Sequence, residues 1–275
     1  MRFTGLLFMI LTMSAFSPET IFAQQKKLYI ANGDHSDYVY TADEATYRTA
    51  YINQLDYYIN LMETQNDTIL PQFRHRYNCD NSLWVYEYEK AKSVVDFQRL
   101  IQKIKTGYIT VPFNPLVPLY GGQNAEIALR GMYYGGYLER KYGIKIDIAQ
   151  AVENQTLPLG INSLWAGVGA AYSWRGICGC GSPMANLSNR KNEVYYSNGR
   201  DGKGVLMKWY NFTGSGDLGG YAETAFPNNG ITNLSAKCNT TQYPYSIAGA
   251  FCLGGDDLET YVNNLPTLAK QRSNT

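Results

Sequence analysis

Residues 27–65 read "KLYIANGDHSDYVYTADEATYRTAYINQLDYYINLMETQ". The opening apolar run before "NGD" predicts a short buried strand. Further on, Tyr47, Tyr51, Leu55, Tyr58 and Met62 recur at spacings of three and four, the stripe of an amphipathic helix. Thr41 and Glu44 match the Ser/Thr-x-x-Glu capping box, in which each side chain satisfies an otherwise free backbone amide. Strand, polar loop and long helix together make a βα unit. The loop then lies beyond the carboxyl end of a strand, where such folds bind their ligands. It carries His35, one of the 2 histidines of the chain, with Asp34 before it and Asp37 two positions on.

The same pattern continues outward. "SVVDFQRLIQKIKTG" (93–107) places Val94, Phe97, Ile101 and Ile104 on one helical face and ends on Gly107 as a cap. "YITVPF" (108–113) reads as a strand. "NAEIALRGMYYGGYLERKYG" (124–143) reads as a helix stopped at Gly143, and Ile144 to Val152 as a buried strand. "WAGVGAAYSW" (165–174) reads as a further helix, and "YYSNGRDGKGVLMKWY" (195–210) as two strands joined by a glycine-rich turn. Strands alternating with helices predict an α/β fold with a parallel sheet. No internal repeat or linker divides the chain. A β/α barrel leads, with an open doubly wound sheet as the alternative.

The first residues, "MRFTGLLFMILTMSAFSPETIFAQQKK", have one early positive charge, an apolar stretch from Leu6 to Ala15 and a small residue, Ala23, before a polar segment. This is the layout of a secretory signal peptide spanning residues 1–23, which leaves 24–275 as the mature, exported domain, periplasmic or secreted. The apolar run falls short of the ~20 residues a membrane span needs, so no membrane span is expected once the signal is removed. Lys plus Arg number 24 and Asp plus Glu 23, with no basic block, which argues against a nucleic-acid partner. Cys79, Cys178, Cys180, Cys238 and Cys252 are odd in number and unevenly spaced, which reads as structural rather than metal-binding. His75, between Arg74 and Arg76, reads as a surface histidine. Asp201-Gly202 reads as hairpin chemistry. Trp165, Trp174 and most of the 24 tyrosines read as core.

In extended chain, residues i and i+2 point to one side, so His35 and Asp37 can face one metal ion. Imidazole nitrogen and carboxylate oxygen are ordinary zinc ligands. His-x-Asp alone is equally the composition of a solvated loop. Glu153, after the Ile144 run, and Asp256 and Asp257, in "GGDDLETY" (254–261), are further carboxylates near predicted element ends. On local pattern alone, Glu153 is equally a structural strand-end carboxylate, and Asp256 a helix cap before "LETYVNNL".

Several segments resemble one family in order. "DHSDYVYTADEATYRTAYINQLDYYINLM" resembles the N-terminal segment of family 38 glycoside hydrolases, the α-mannosidases, where a His-x-Asp pair follows the first strand. "NAEIALRGMYYGGYLERKYGIKIDIAQAVEN" resembles their glycine-stopped helix and catalytic strand, "NGRDGKGVLMKWY" their Asp-Gly turn and strand, and "GGDDLETY" their Gly-Asp-Asp segment. The resemblance implies a β/α barrel of the seven-stranded glycoside hydrolase/deacetylase type, bound Zn2+, a carbohydrate substrate and a retaining two-carboxylate mechanism. By that resemblance His35, Asp37 and Glu153 are zinc ligands and Glu153 is the nucleophile. Asp257, or its neighbour Asp256, is the general acid; with Asp257 as the acid, Asp256 contacts substrate. Two departures stand out. "VENQTLPLG" replaces the family's Asp-Pro-Phe-Gly-like turn, and "AKQRSNT" ends the chain before the family's distal histidine ligand and β-rich domains. These departures imply either a truncated enzyme or a relative that binds glycans without cleaving them. A zinc deacetylase on a related barrel is disfavoured, because it needs a His-x-x-x-His set the chain lacks.

Overall fold

The computed structural model describes residues 26–34, 36–116, 120–151, 156–175, 194–209, 232, 245–253, 258 and 260–273. Strand β1 (Lys27–Gly33) leads through the polar loop into helix α1 (Glu44–Gln65). All five residues of the predicted stripe are buried. The helix starts differently from the capping-box expectation. Asp43 is the N-cap, its carboxylate accepting from Thr46 N–H at 2.8 Å. Thr41 instead shares a hydrogen bond with the Tyr47 hydroxyl at 2.7 Å, and Glu44 accepts from Tyr38 and Arg48. The longer-range partners thus outcompete the local reciprocal pair.

Next come β2 (Tyr77–Asn78), α2 (Leu83–Ala91), α3 (Val94–Lys105) and β3 (Ile109–Thr110). Phe97, Leu100, Ile101 and Ile104 form the buried face of α3, but Val94, at its first position, is 79% exposed. The expected single helix over 124–143 is two, α4 (Ala125–Gly131) and α5 (Tyr133–Tyr142), parted at Met132. The approach to Pro115, 3.1 Å from where a Cβ on Gly131 would sit, accompanies the break. Gly143 ends α5 in the left-handed conformation (φ 63°), as its position predicts. The strand expected over 144–152 shortens to β4 (Ile148–Gln150), with Ile144 and Ile146 buried ahead of it. The helix expected over 165–174 begins earlier, as α6 (Gly160–Val168), and stops at Gly169 (φ 102°). The following "YSWR" is β5 (Tyr172–Arg175). The predicted hairpin forms as β6 (Val194–Asn198) and β7 (Gly204–Trp209), and β8 (Ile247–Leu253) and α7 (Leu265–Arg272) complete the described elements. "LETYVNNL" is not a helix where it is described, at residues 258 and 260–264.

The fold is mixed α/β with predominantly parallel sheets. One sheet has the order β3-β2-β1-β8, all pairs parallel; the other is β4-β5-β7 in parallel with β6 antiparallel at its edge. The described strands therefore form two four-stranded sheets and not one continuous ring. Among the links that join them, Phe113 N–H, just past β3, donates to Ile148 O on β4 at 3.0 Å, and the Lys208 ammonium of β7 donates to Gly249 O on β8.

Beneath the first sheet the core is aromatic. Tyr51 stacks on Trp84 with centroids 4.5 Å apart, and Tyr58 on Tyr77 at 4.0 Å, all four wholly buried. Trp165 is buried as expected of core. Offset stacks of this kind add to the area term that dominates such cores. Trp84→Ala is expected to destabilise the fold by about 3–5 kcal/mol, read as a lowered urea midpoint.

Candidate functional site

The carboxyl ends of the strands carry buried polar side chains. Asp34 follows β1, Asp80 follows β2, Asn114 lies in the segment after β3, Gln150 ends β4 and Arg175 ends β5; all five are almost wholly buried. A buried carboxylate is tolerated only with its lone pairs engaged. Asp34 Oδ2 accepts from Gln54 Nε2 of α1 at 2.8 Å, and its Oδ1 from Thr260 Oγ1 at 3.1 Å. Gln54 Nε2 also donates to Leu258 O at 2.7 Å, while Tyr77 OH donates to Gln54 Oε1 at 3.2 Å. Tyr58 OH donates to Thr260 O at 2.7 Å and accepts from Val262 N–H at 3.1 Å. Leu258, Thr260 and Val262 are thereby fastened to α1 and the end of β1.

A second carboxylate works in parallel. Asp80 Oδ2 accepts from Ser36 N–H at 3.3 Å, and its Oδ1 from Gln150 Nε2 at 3.0 Å. Asn114 Oδ1 accepts from Gln150 N–H at 2.8 Å, so Gln150 is held by backbone and side chain together. Burial and the nearby Asp80 charge push the Tyr51 phenol's pKa up, and the same two causes push the Cys79 thiol up. Cys79, free and buried, therefore stays a protonated thiol, in keeping with a structural role. Asn32 Oδ1, Asn81 Oδ1 and Trp84 Nε1 are further buried polar atoms here, with no hydrogen-bond partner among the described residues.

Of the sequence-predicted site residues, Asp37 alone is described. It is half-buried and opens a tight turn in which Tyr40 N–H donates to its carbonyl at 2.8 Å. Val39 within that turn has φ 67°, a left-handed conformation that costs a β-branched residue about 1–2 kcal/mol. His35, Glu153, Asp256 and Asp257 lie outside the described residues, as do Cys178, Cys180 and Cys238. Their described neighbours nevertheless meet. Asp34 and Ser36 flank His35, Ala151 follows Gln150 two positions before Glu153, and Leu258 follows Asp257; the networks of Asp34 and Asp80 join these segments. Among the described residues no group of three His, Cys, Asp or Glu side chains is placed to hold a metal ion.

His75 differs from its expected surface position. It is 5% exposed, its N–H donates to Asn66 Oδ1 at 2.8 Å, and its ring lies 3.1 Å from Gln65 Oε1. It precedes β2 and so belongs to the opposite end of the sheet from the strand-end residues. Asp201 is hairpin chemistry as expected, accepting from Lys203 N–H at 3.1 Å. Sequence reasoning leaves Asp80, Gln54, Asn114 and Gln150 without a role. The available signals are a glutamine on the apolar stripe of α1 and the polar run "NCDNS" (78–82).

No protein-family model matches the chain. No curated protein matches it either. Solved structures do. An α-mannosidase from Enterococcus faecalis V583 matches with a TM-score of 0.66 at 13% identity, over 90% of this chain and 27% of that one. A family 38 glycosyl hydrolase from Enterococcus faecalis matches with a TM-score of 0.58 at 12% identity, over 90% and 25%. A 4-α-glucanotransferase from Thermococcus litoralis matches with a TM-score of 0.55 at 11% identity, over 90% and 36%. The chain spans about a quarter of the length of the two Enterococcus proteins. At these identities the likeness is one of fold. No helix among the described residues is long and apolar enough to cross a membrane.

Val39 is 51% exposed. Val39→Gly is expected to raise stability by about 1 kcal/mol by relieving the left-handed strain, measured by urea unfolding. Burial draws the His75 imidazole below its ordinary 6.5, so the unfolded chain takes up that proton first. The contribution of His75 is fully present above that value and is lost as pH falls below it. The urea midpoint of wild type should drop between pH 8 and pH 5 by more than that of His75→Gln.

Proposed function

We propose that this chain is a divergent, exported relative of the family 38 glycoside hydrolases, with a zinc-dependent retaining activity on mannose-containing or related glycans. The observation that carries the reading is the convergence at the strand ends. The described residues flanking His35–Asp37, Glu153 and Asp256–Asp257 are tied into one buried network through Asp34 and Asp80. The fold likeness to an α-mannosidase supports it at the level of architecture. The finer architecture belongs to the same proposal. The parallel strands β8, β1, β2, β3, β4, β5 and β7 are the seven strands of a barrel, with β6 laid along the far edge of β7. The bond from Phe113 N–H to Ile148 O speaks for β3 and β4 as neighbours, and the Lys208 side chain for the approach of β7 to β8.

The donor set fits zinc: one imidazole from His35 and carboxylates from Asp37 and Glu153 are ordinary ligands for that ion. When bound there, zinc supplies a Lewis acid that holds sugar hydroxyls in the distorted ring of the transition state. The chain's own groups do the rest. The Glu153 carboxylate attacks the anomeric carbon as the Asp257 carboxylic acid protonates the leaving oxygen. Asp257 then takes a proton from the water that releases the sugar, with Asp256 contacting substrate. Dry, hydrogen-bonded surroundings such as those of Asp34 and Asp80 are the kind that set two carboxyl groups to different protonation states.

A second reading is that of a relative that binds glycans without hydrolysing them. The sequence "VENQTLPLG" favours it: a glutamate in place of the family's aspartate extends the attacking oxygen by one carbon–carbon bond. Catalytic geometry tolerates only about 0.5 Å of misplacement. The two separate on a 4-nitrophenyl α-D-mannoside assay with metal analysis of the pure protein. The hydrolase reading expects bound zinc, released mannose, loss of zinc in His35→Ala and a fall of at least ~100-fold in kcat for Asp257→Asn. Bound oligomannose with no turnover selects the second reading; neither zinc nor glycan bound defeats both.

A further inference from the structure

Asp80 stands outside every role assigned above, yet it touches both halves of the proposed site. Its Oδ2 accepts from the N–H of Ser36, the residue between His35 and Asp37. Its Oδ1 accepts from the side chain of Gln150, the last residue of β4, three positions before Glu153. It does this from just beyond β2, reaching past β3, the edge strand that faces β4. We infer that Asp80 is a positioning residue: its carboxylate sets the spacing between the chain at Ser36 and the end of β4, with Gln150 as its partner.

An apolar side chain of the same shape would fill the space at lower desolvation cost, since a buried carboxylate gives up its hydration. What it could not do is hold a backbone N–H and a strand-end amide in fixed directions at once. Asp80 is fully buried, and Asn81 Nδ2 adds a long contact to its Oδ2 at 3.4 Å. Its partner is equally constrained, because Gln150 N–H is bound by Asn114 Oδ1. The β4 end of the Asp80 bridge is therefore anchored. Outer groups of this kind orient the residues that touch metal and substrate, and their loss typically weakens affinity or activity by roughly 10- to 100-fold.

The inference rests on His35, Asp37 and Glu153 being the metal and nucleophile set, and the test separates the two. Asp80→Leu removes both hydrogen bonds while keeping the same branching of heavy atoms. Asp80→Asn keeps an acceptor for Ser36 N–H, and its amide can donate to Gln150 Oε1 once the Gln150 amide turns over. Zinc affinity by chelator competition and kcat on 4-nitrophenyl α-D-mannoside are measured for both variants and for Gln150→Leu, which breaks only the β4 arm. Backbone hydrogen exchange is followed over residues 34–40 and 148–156. Positioning predicts roughly 10- to 100-fold weaker zinc binding for Asp80→Leu, recovery of most of that loss by Asp80→Asn, and faster exchange in both segments. In Gln150→Leu faster exchange is expected in the β4 segment alone. If Asp80→Leu fails to fold, the Gln150→Leu exchange pattern decides. Asparagine as damaging as leucine, or leucine indistinguishable from wild type, overturns the inference. Wild type that neither binds zinc nor cleaves defeats the hydrolase reading, while the exchange data still decide whether Asp80 fixes the two segments.

Discussion

A carboxylate without solvent must have its oxygens engaged from within the protein, and at Asp34 this requirement organises the surroundings. The residue ends the first strand wholly buried, so a donor has to come from the helix packed beneath and another from chain that arrives much later. Gln54 and Thr260 are those donors, the latter 226 positions away. Gln54 can serve only because Tyr77 and Leu258 O fix its amide. Asp80 repeats the arrangement one strand over. The strand ends are therefore set by hydrogen-bond directions, and the packing below them has to agree.

The aromatic core fits that role. Tyr58 and Tyr77 fill apolar volume with their rings while their hydroxyls reach the polar layer above. Burial raises the pKa of both phenols, so they remain neutral donors. A phenylalanine would pack as well but would leave Gln54 and Thr260 less firmly held. These two tyrosines bridge apolar floor and polar rim, whereas others, such as Tyr40 and Tyr196, are exposed and do not belong to the core expected of most tyrosines.

The sequence showed the elements more readily than the site. The stripe of α1, the stop at Gly143 and the hairpin around Asp201-Gly202 were legible because periodicity and turn chemistry are local. The boundary between α6 and β5 was not, since one apolar run passes through both and only the left-handed Gly169 divides them. β2 is two residues long and offers no periodicity to read. The roles of Asp34, Asp80 and Gln150 depend on which strands lie side by side. His75 shows the converse: two flanking arginines in the sequence suggest an exposed position, yet Asn66 holds its backbone and Gln65 Oε1 meets its ring inside the fold.

β1 lies between β2 and β8, pairing with β8 along its whole length from Lys27↔Ile247 to Gly33↔Leu253. During synthesis one flank of that strand has no partner until nearly the entire described chain has emerged. Such non-local pairing is slow, and an open strand edge invites pairing with other chains meanwhile. The Asp34 network closes soon after, because Thr260 lies seven positions beyond the end of β8. The Asp34 network at the strand ends is therefore completed only once Thr260 has emerged, and a nascent chain that stops short of it lacks that donor.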